Sequence, residues 1–157
     1  MTPRVSLLIT AALLGAAIAG AAEGGFDLLS SGEYQSELTA RARPGAALVA
    51  RAADLNAPTI SVMKPDAGGP IAAPVDIDMR FQPAQGATVN IGTLKILYGF
   101  LGLDITQRIL SAPGVQVSAS GLKASGARLP SGSHKLTVQV ADNLGRTGRQ
   151  PFEFTVR

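Results

Sequence analysis

The stretch Leu129–Asp142, with the sequence LPSGSHKLTVQVAD, decides the fold of this chain. Within it, Leu136–Val140 alternates apolar and polar residues, the pattern of a strand with one buried face and one wet face. The turn-forming sequence DNLG follows at Asp142–Gly145, and Phe152–Val156 (FEFTV) alternates again. The sequence therefore predicts a β-hairpin that ends a small all-β domain.

The same pattern extends upstream to Pro58. Short alternating runs are separated about every ten residues by Gly, Pro, Asn or Asp, which is typical of a β-sandwich. The clearest run is Val75–Phe81 (VDIDMRF), in which apolar and charged residues alternate strictly. Residues Asp104–Leu110 break the alternation and predict a short helix that crosses between two sheets. We expect about seven antiparallel strands with this one helix inserted.

Three segments carry a resemblance to a known family: Pro58–Pro65, Pro74–Phe81 and the closing hairpin. On these segments, residues 58–157 resemble bacterial immunoglobulin-like domains. The resemblance implies an immunoglobulin-like sandwich that serves as a spacer, adhesin stalk, binding module or accessory domain. The chain departs from the antibody pattern because it has no cysteine pair, no core tryptophan and no tyrosine corner.

Residues 1–22 have the layout of a secretory signal peptide. Arg4 precedes the apolar stretch Val5–Ile18, and small residues between positions 19 and 22 suit a cleavage site. The apolar stretch is shorter than the roughly 20 residues that a membrane span needs. We therefore expect export to the periplasm or the exterior of a bacterial cell, with no membrane span after cleavage.

A helical leader is predicted over residues 23–57. Ser30 and Glu33 have the spacing of a capping box, and a helix is expected from Ser31 to Ala42. Tyr34, Leu38 and Ala42 would share one narrow face of that helix, which packs either on the sandwich or on a partner. Residues 46–56 are predicted to be a linker or a second short helix.

Composition excludes several kinds of chemistry. The chain has no cysteine, so disulfides, thiolate metal sites and thiol nucleophiles are excluded. Its net charge of +3 includes no basic run with interleaved aromatic residues, which argues against nucleic acid as a partner. No cofactor is predicted.

Candidate catalytic and metal-binding groups are sparse. The single histidine, His134, has no nucleophile elbow or orienting carboxylate near it in sequence and is interpreted as an ordinary histidine at a strand end. Asp76 and Asp78 share one strand face, roughly 7 Å apart by strand geometry, and are interpreted as a solvated charge row; a hydrolase is the alternative. A calcium site would have to gather oxygen ligands from separate loops, at Asp66, Asp104 and Asp142. Neither a catalytic nor a metal site is predicted.

The predicted contact residues are Tyr98, Phe100, Leu101, Arg146 and Arg149. The first three belong to an apolar, glycine-hinged run that is either a buried corner, capped by Leu101 and Leu103, or an exposed contact patch, and the sequence favours the corner. We expect an exported, non-enzymatic interaction or structural module with a protein partner in the cell envelope. The alternatives are a carbohydrate- or cell-wall-binding module, a hydrolase, and a chaperone or assembly factor that acts by strand donation, with a long unprotected edge and a partner that lacks a strand.

Overall fold

The structure, a computed structural model, describes residues 25–42, 56–66 and 68–157. Within those ranges the chain forms nine strands and two helices. The elements are β1 (Phe26–Asp27), α1 (Ser31–Arg41), β2 (Thr59–Lys64), β3 (Val75–Gln82), β4 (Val89–Tyr98), β5 (Leu103–Asp104), α2 (Thr106–Leu110), β6 (Gln116–Ser118), β7 (Gly121–Arg128), β8 (Gly132–Asp142) and β9 (Thr147–Val156).

The strands form two sheets that pack face to face. One sheet has the order β1-β7-β3-β2, with β6 also paired to β7, and the other has the order β5-β4-β8-β9. Helix α2 carries the chain from the second sheet to the first, as the sequence predicts. The all-β sandwich is confirmed, and the seven predicted strands are present together with the two-residue strands β1 and β5.

Strict alternation along the strands builds the core between the sheets. In β3 every second side chain is buried, and the same holds for Leu94, Ile96 and Tyr98 of β4. In β8 the predicted apolar positions Leu136, Val138 and Val140 are fully buried. Residues before Pro58 also enter the core, because Leu28 and Leu29 are buried and β1 pairs in parallel with β7.

The closing hairpin is in register from Gly132 opposite Val156 to Ala141 opposite Thr147. Its turn is held by the carboxylate of Asp142, which accepts hydrogen bonds from the backbone N–H groups of Leu144 (3.0 Å) and Arg146 (2.9 Å). The Nε of Arg146 also donates to this carboxylate at 2.7 Å. Burial alone would raise the pKa of Asp142, but these hydrogen bonds lower it below its usual value.

Helix α1 begins with the predicted capping box. Ser30 Oγ accepts from the N–H of Glu33, and the Glu33 side chain accepts from the N–H of Ser30. Of the predicted face, Tyr34 packs against the core, whereas Leu38 is 39% exposed and Ala42 is exposed. The helix instead buries Glu37 and Ala40, since the Glu37 carboxylate finds hydrogen-bond donors on the sandwich.

Helix α2 begins two residues later than predicted. Asp104 ends β5, and its carboxylate accepts from the N–H (2.9 Å) and the hydroxyl (2.5 Å) of Thr106. These bonds lower the pKa of Asp104 below its usual value. Neither helix of the described residues is long and apolar enough to cross a membrane. The predicted signal peptide, residues 1–22, and most of the predicted linker lie outside those residues.

Two leucines of the closing hairpin test how the sandwich is stabilised. Leu136 is fully buried between the sheets, whereas Leu144 in the turn is 62% exposed. We expect Leu136→Ala to lower the free energy of unfolding by about 2–5 kcal/mol, because it leaves a cavity in the core. Leu144→Ala is the matched control and should change it by less than about 0.5 kcal/mol. Equal effects in urea titrations of the two variants would contradict this description of the core.

Candidate interaction surface

A buried carboxylate attaches helix α1 to the sandwich. Glu37 is 2% exposed, and its two oxygens accept hydrogen bonds from the backbone N–H groups of Phe100 and Leu101, the latter at 3.2 Å. Arg41, one helical turn further on, donates its Nε to the same carboxylate at 2.9 Å. The buried charge therefore has three donors, which is what a carboxylate needs to remain inside a protein.

Gly99 makes this contact possible. Its φ of +70° lies in the left-handed region, and its N–H donates to the carbonyl of Lys135 at 2.8 Å. A β-carbon at Gly99 would overlap the carboxylate of Glu37. The glycine thus turns the chain after β4 and leaves room for Glu37 beside the next two N–H groups.

Two further contacts orient α1. The guanidinium of Arg108 in α2 binds Glu33 through two hydrogen bonds, of 2.8 and 2.9 Å, and also donates to the carbonyl of Leu28 at 2.9 Å. Hydrogen bonds from Arg108 and Ser30 lower the pKa of Glu33 to about 2. The ring of Tyr34 lies over Gly132, where a β-carbon would overlap it.

A surface groove lies between α1 and the turn that follows β4. We call it the helix–turn groove; it measures about 480 Å³ and is lined by Gly32, Glu33, Ser36, Glu37, Tyr98, Leu101 and Leu103. Leu101 is 60% exposed and Leu103 is 37% exposed. The interpretation of these two leucines as a buried cap of the sandwich is therefore wrong, because the turn bonds to Glu37 of α1 through its backbone and leaves both side chains exposed beside the helix.

Beneath α1, His134 is completely buried at the start of β8. Its Nε2 lies 2.8 Å from the carbonyl of Pro130 and its Nδ1 lies 2.8 Å from the hydroxyl of Tyr98. A carbonyl only accepts, so Nε2 carries the proton and Nδ1 accepts from Tyr98. Burial, together with the charge of Arg41, lowers the pKa of His134, and burial raises the pKa of Tyr98.

The structure separates the five predicted contact residues into three groups. Tyr98 is 1% exposed, so its ring cannot meet a partner directly; it forms the floor of the groove. Phe100 is half-buried and Leu101 is exposed at the rim. Arg146 is bound to Asp142 and is half-buried, whereas the side chain of Arg149 on β9 is exposed.

The other carboxylates singled out by the sequence have local partners. Asp76 pairs with Lys64 at 3.4 Å, and Asp78 pairs with Lys123 at 3.6 Å. Asp66 accepts a hydrogen bond from the N–H of Gly68. Asp104 and Asp142 accept hydrogen bonds from backbone N–H groups two residues further along the chain. Within the described ranges no three His, Asp or Glu side chains come together in a way that would hold a metal ion.

The outer edges of the two sheets are only partly open. At β9, Gly148 lies against the carbonyl of Pro58, and Val156 forms an isolated parallel β-bridge with Ile71. Between these two points, Pro151 has no backbone N–H to donate to an added strand. At β2, which pairs only with β3 among the described strands, the register shifts between Val62 and Lys64. Such irregularities and edge lysines discourage strand addition.

Sequence reasoning missed Glu37, which organises this surface. Its spacing to Arg41 suggests an ordinary solvent-exposed ion pair on a helix, and nothing local indicates burial. The one available signal was Gly99, because a glycine within an apolar run often marks a close approach of another group. The partner of that close approach is 62 residues away in sequence and cannot be inferred from the run itself.

No protein-family model matches this chain, and no curated protein matches it. Among solved structures, the chain is similar to the crystal structure of CopC from Methylosinus trichosporium OB3b, with 21% sequence identity and a TM-score of 0.40. The similarity covers 62% of this chain and 93% of that chain.

Two glycines test the attachment of α1. Gly99 and Gly102 both have positive φ, but only at Gly99 would a β-carbon overlap another group. We expect Gly102→Ala to cost about 1 kcal/mol of stability through backbone strain alone. Gly99→Ala should cost more and should also speed amide exchange throughout α1, because the Glu37 carboxylate is displaced. Identical denaturation and exchange profiles for the two variants would count against the attachment described here.

The pairing of Glu33 with Arg108 predicts a loss of stability in acid. In the unfolded chain the Glu33 carboxyl takes up a proton near its ordinary pKa of 4.5, whereas in the folded chain it stays ionised down to a pKa of about 2. The unfolded state therefore binds more protons within this window, and stability falls as the pH falls through it. We expect Glu33→Gln to lose less stability than the wild type between about pH 7 and about pH 3 in urea titrations.

The control is Glu153→Gln. The Glu153 side chain is 63% exposed, and it pairs with Lys135 across strands β8 and β9. This variant should keep the pH dependence of the wild type. An unchanged pH dependence in Glu33→Gln would refute the role given to the Arg108 pair.

Proposed function

We propose that this protein is an exported, non-enzymatic interaction module that binds an envelope protein through the helix–turn groove. The observation that carries the proposal is the exposure of Leu101 and Leu103 along a groove of about 480 Å³. Exposed apolar side chains that gather around a concavity are characteristic of binding surfaces. Export is supported by the signal-like sequence of residues 1–22.

Charge in and around the groove favours an aliphatic occupant. The carboxylate of Glu33 is paired with Arg108, and that of Glu37 with Arg41, so neither is left to attract a charged ligand. The accessible rim is provided by leucines and by the small residues Gly32 and Ser36. The occupant we propose is a neutral segment of a partner protein that inserts one or two aliphatic side chains beside Leu101 and Leu103.

A protein is favoured over a polysaccharide by the kind of side chain that is exposed. Sugar-binding surfaces generally use aromatic rings as stacking platforms. The large apolar side chains that are exposed in the described part of the chain are all aliphatic: Leu38, Met63, Leu101, Leu103, Val117 and Leu144. The cell-wall alternative therefore receives no support from an aromatic platform.

We further propose that the sandwich is of the immunoglobulin-like kind. Strands β2, β3 and β7, with β6 beside β7, follow the order A-B-E-D of immunoglobulin domains. Strands β5, β4, β8 and β9 follow the order C′-C-F-G. This strand order supports a role as a scaffold that presents loops and an added helix, rather than as a catalytic fold.

Leu101 and Leu144 allow a matched test, because they are 60% and 62% exposed on different turns. A photo-crosslinking residue placed at each position should give, in the producing cells, a heterologous protein adduct from position 101 and none from position 144. A synthetic peptide spanning the crosslinked segment should bind the purified protein and contain an aliphatic side chain at its centre. Leu103→Asp should weaken that binding at least tenfold, and Leu144→Asp should leave it unchanged.

Three outcomes would overturn the proposal. One is a crosslink from position 101 only to a second copy of this chain, and another is a crosslink only to lipid or glycan. The third is a peptide that binds the wild type and Leu103→Asp equally well, since the groove would then take no part in recognition.

A further inference from the structure

We propose that helix α1 is a pH-sensitive cover, and that protonation of His134 releases the helix from the sandwich while the two sheets remain folded. His134 is the only histidine of the chain, and nothing in the proposed docking surface requires it to be one. It is nevertheless placed with both ring nitrogens bonded and with no solvent exposure. Such a group cannot gain a proton without a change in its surroundings.

The carbonyl of Pro130 favours an imidazolium at His134, but burial among aromatic rings and the charge of Arg41 oppose it and lower the pKa of His134. Its ring centroid lies 5.2 Å from that of Tyr34 on α1, 5.9 Å from that of Tyr98 on β4 and 5.6 Å from that of Phe154 on β9. The charged groups of α1 nearest to it, Glu37 and Arg41, are bound to each other.

The other polar and charged neighbours of His134 do not stabilise a positive charge on its ring. Lys135 and Glu153 point to the opposite face of their strands and pair with each other at 3.1 Å. In the neutral ring, Nδ1 accepts a hydrogen bond from the hydroxyl of Tyr98. A protonated Nδ1 could no longer accept, so the Tyr98 hydroxyl would lose its acceptor. Arg41 adds repulsion, and it contributes together with burial to the lowered pKa of His134.

Helix α1 is the element that can leave most readily. Its buried residues are Glu37 and Ala40, so no large aliphatic side chain anchors it in the core. The contacts that hold it on the sandwich include the hydrogen bonds to the buried Glu37 carboxylate, the partly exposed pair of Arg108 with Glu33, and the ring of Tyr34, which lies against His134. Strand β8, in contrast, is paired with β4 on one side and with β9 on the other. Departure of α1 therefore hydrates His134 without breaking a strand ladder.

Linkage fixes how the release depends on pH. With α1 departed, His134 regains its ordinary pKa of 6.5, whereas with α1 bound its burial lowers that pKa. The midpoint of release therefore lies below pH 6.5. It falls by about one pH unit for each factor of ten by which bound α1 is favoured over departed α1 when His134 is neutral. Protonation of Glu33 acts below the ordinary pKa of 4.5 of that group. A transition between about 4.5 and 6.5 that is absent from His134→Gln is assigned to His134.

The chain contains its own probe for this event. It has two tyrosines and no tryptophan, and both tyrosines contact His134. Tyrosine fluorescence thus reports on the cover, while far-ultraviolet circular dichroism reports on the strands. On acidification we expect a tyrosine transition between about pH 4.5 and 6.5 that is complete before the strand signal is lost.

Three variants decide the question. His134→Gln keeps a donor for the Pro130 carbonyl but cannot become charged near neutral pH, so its tyrosine signal should stay flat down to about pH 4.5. Glu37→Gln weakens the attachment of α1 and should move the midpoint upward, by about one pH unit per tenfold weakening. Glu153→Gln removes an exposed carboxylate from the neighbouring strand and should leave the midpoint unchanged.

The proposal is overturned if the tyrosine and strand signals are lost together, or if His134→Gln keeps the transition. If His134→Gln does not fold, the comparison of Glu37→Gln with Glu153→Gln decides, and equal midpoints reject the cover. No partner enters these measurements, so their failure is distinguishable from failure of the proposed docking surface.

Discussion

The hydrogen bonds from the backbone N–H groups of Phe100 and Leu101 to the carboxylate of Glu37 are the contact on which the rest of this surface depends. A buried carboxylate without donors would destabilise the fold strongly, so the turn after β4 and the helix must meet in one arrangement. That arrangement requires Gly99 and directs Leu101 and Leu103 outward. The groove is thus a consequence of satisfying one buried charge.

The same contact links two features that are separate in sequence. Glu37 and Tyr34 lie one turn apart on α1, so the helix that is held by the carboxylate also places the tyrosine ring over His134. The sandwich supplies the other side through Tyr98, whose hydroxyl binds the imidazole and whose ring forms the floor of the groove. A change in the protonation of His134 therefore acts on an element that also shapes the exposed surface.

Local patterns predicted the scaffold, and contacts distant in sequence determined the site. Alternation in β3 and β8 identified both strands and their buried faces, because side-chain direction in a strand follows directly from sequence parity. The capping box at Ser30 likewise located the start of α1. Apolar periodicity identified Tyr34, which packs on the core, but it did not indicate Glu37, which is buried and orients the helix while Leu38 is exposed. Burial of a charged residue depends on donors elsewhere in the fold, which periodicity does not record.

Amide hydrogen exchange at Phe100 and Leu101, measured at neutral pH in the wild type and in Glu37→Gln, tests the central contact most directly. The N–H of Gly99 is an internal control, because it donates to the carbonyl of Lys135 and not to Glu37. We expect all three amides to be protected in the wild type, and protection at Phe100 and Leu101 alone to fall in the variant. Unprotected amides at these two positions in the wild type, or protection that is unchanged in Glu37→Gln, would contradict the attachment of α1 through its buried carboxylate.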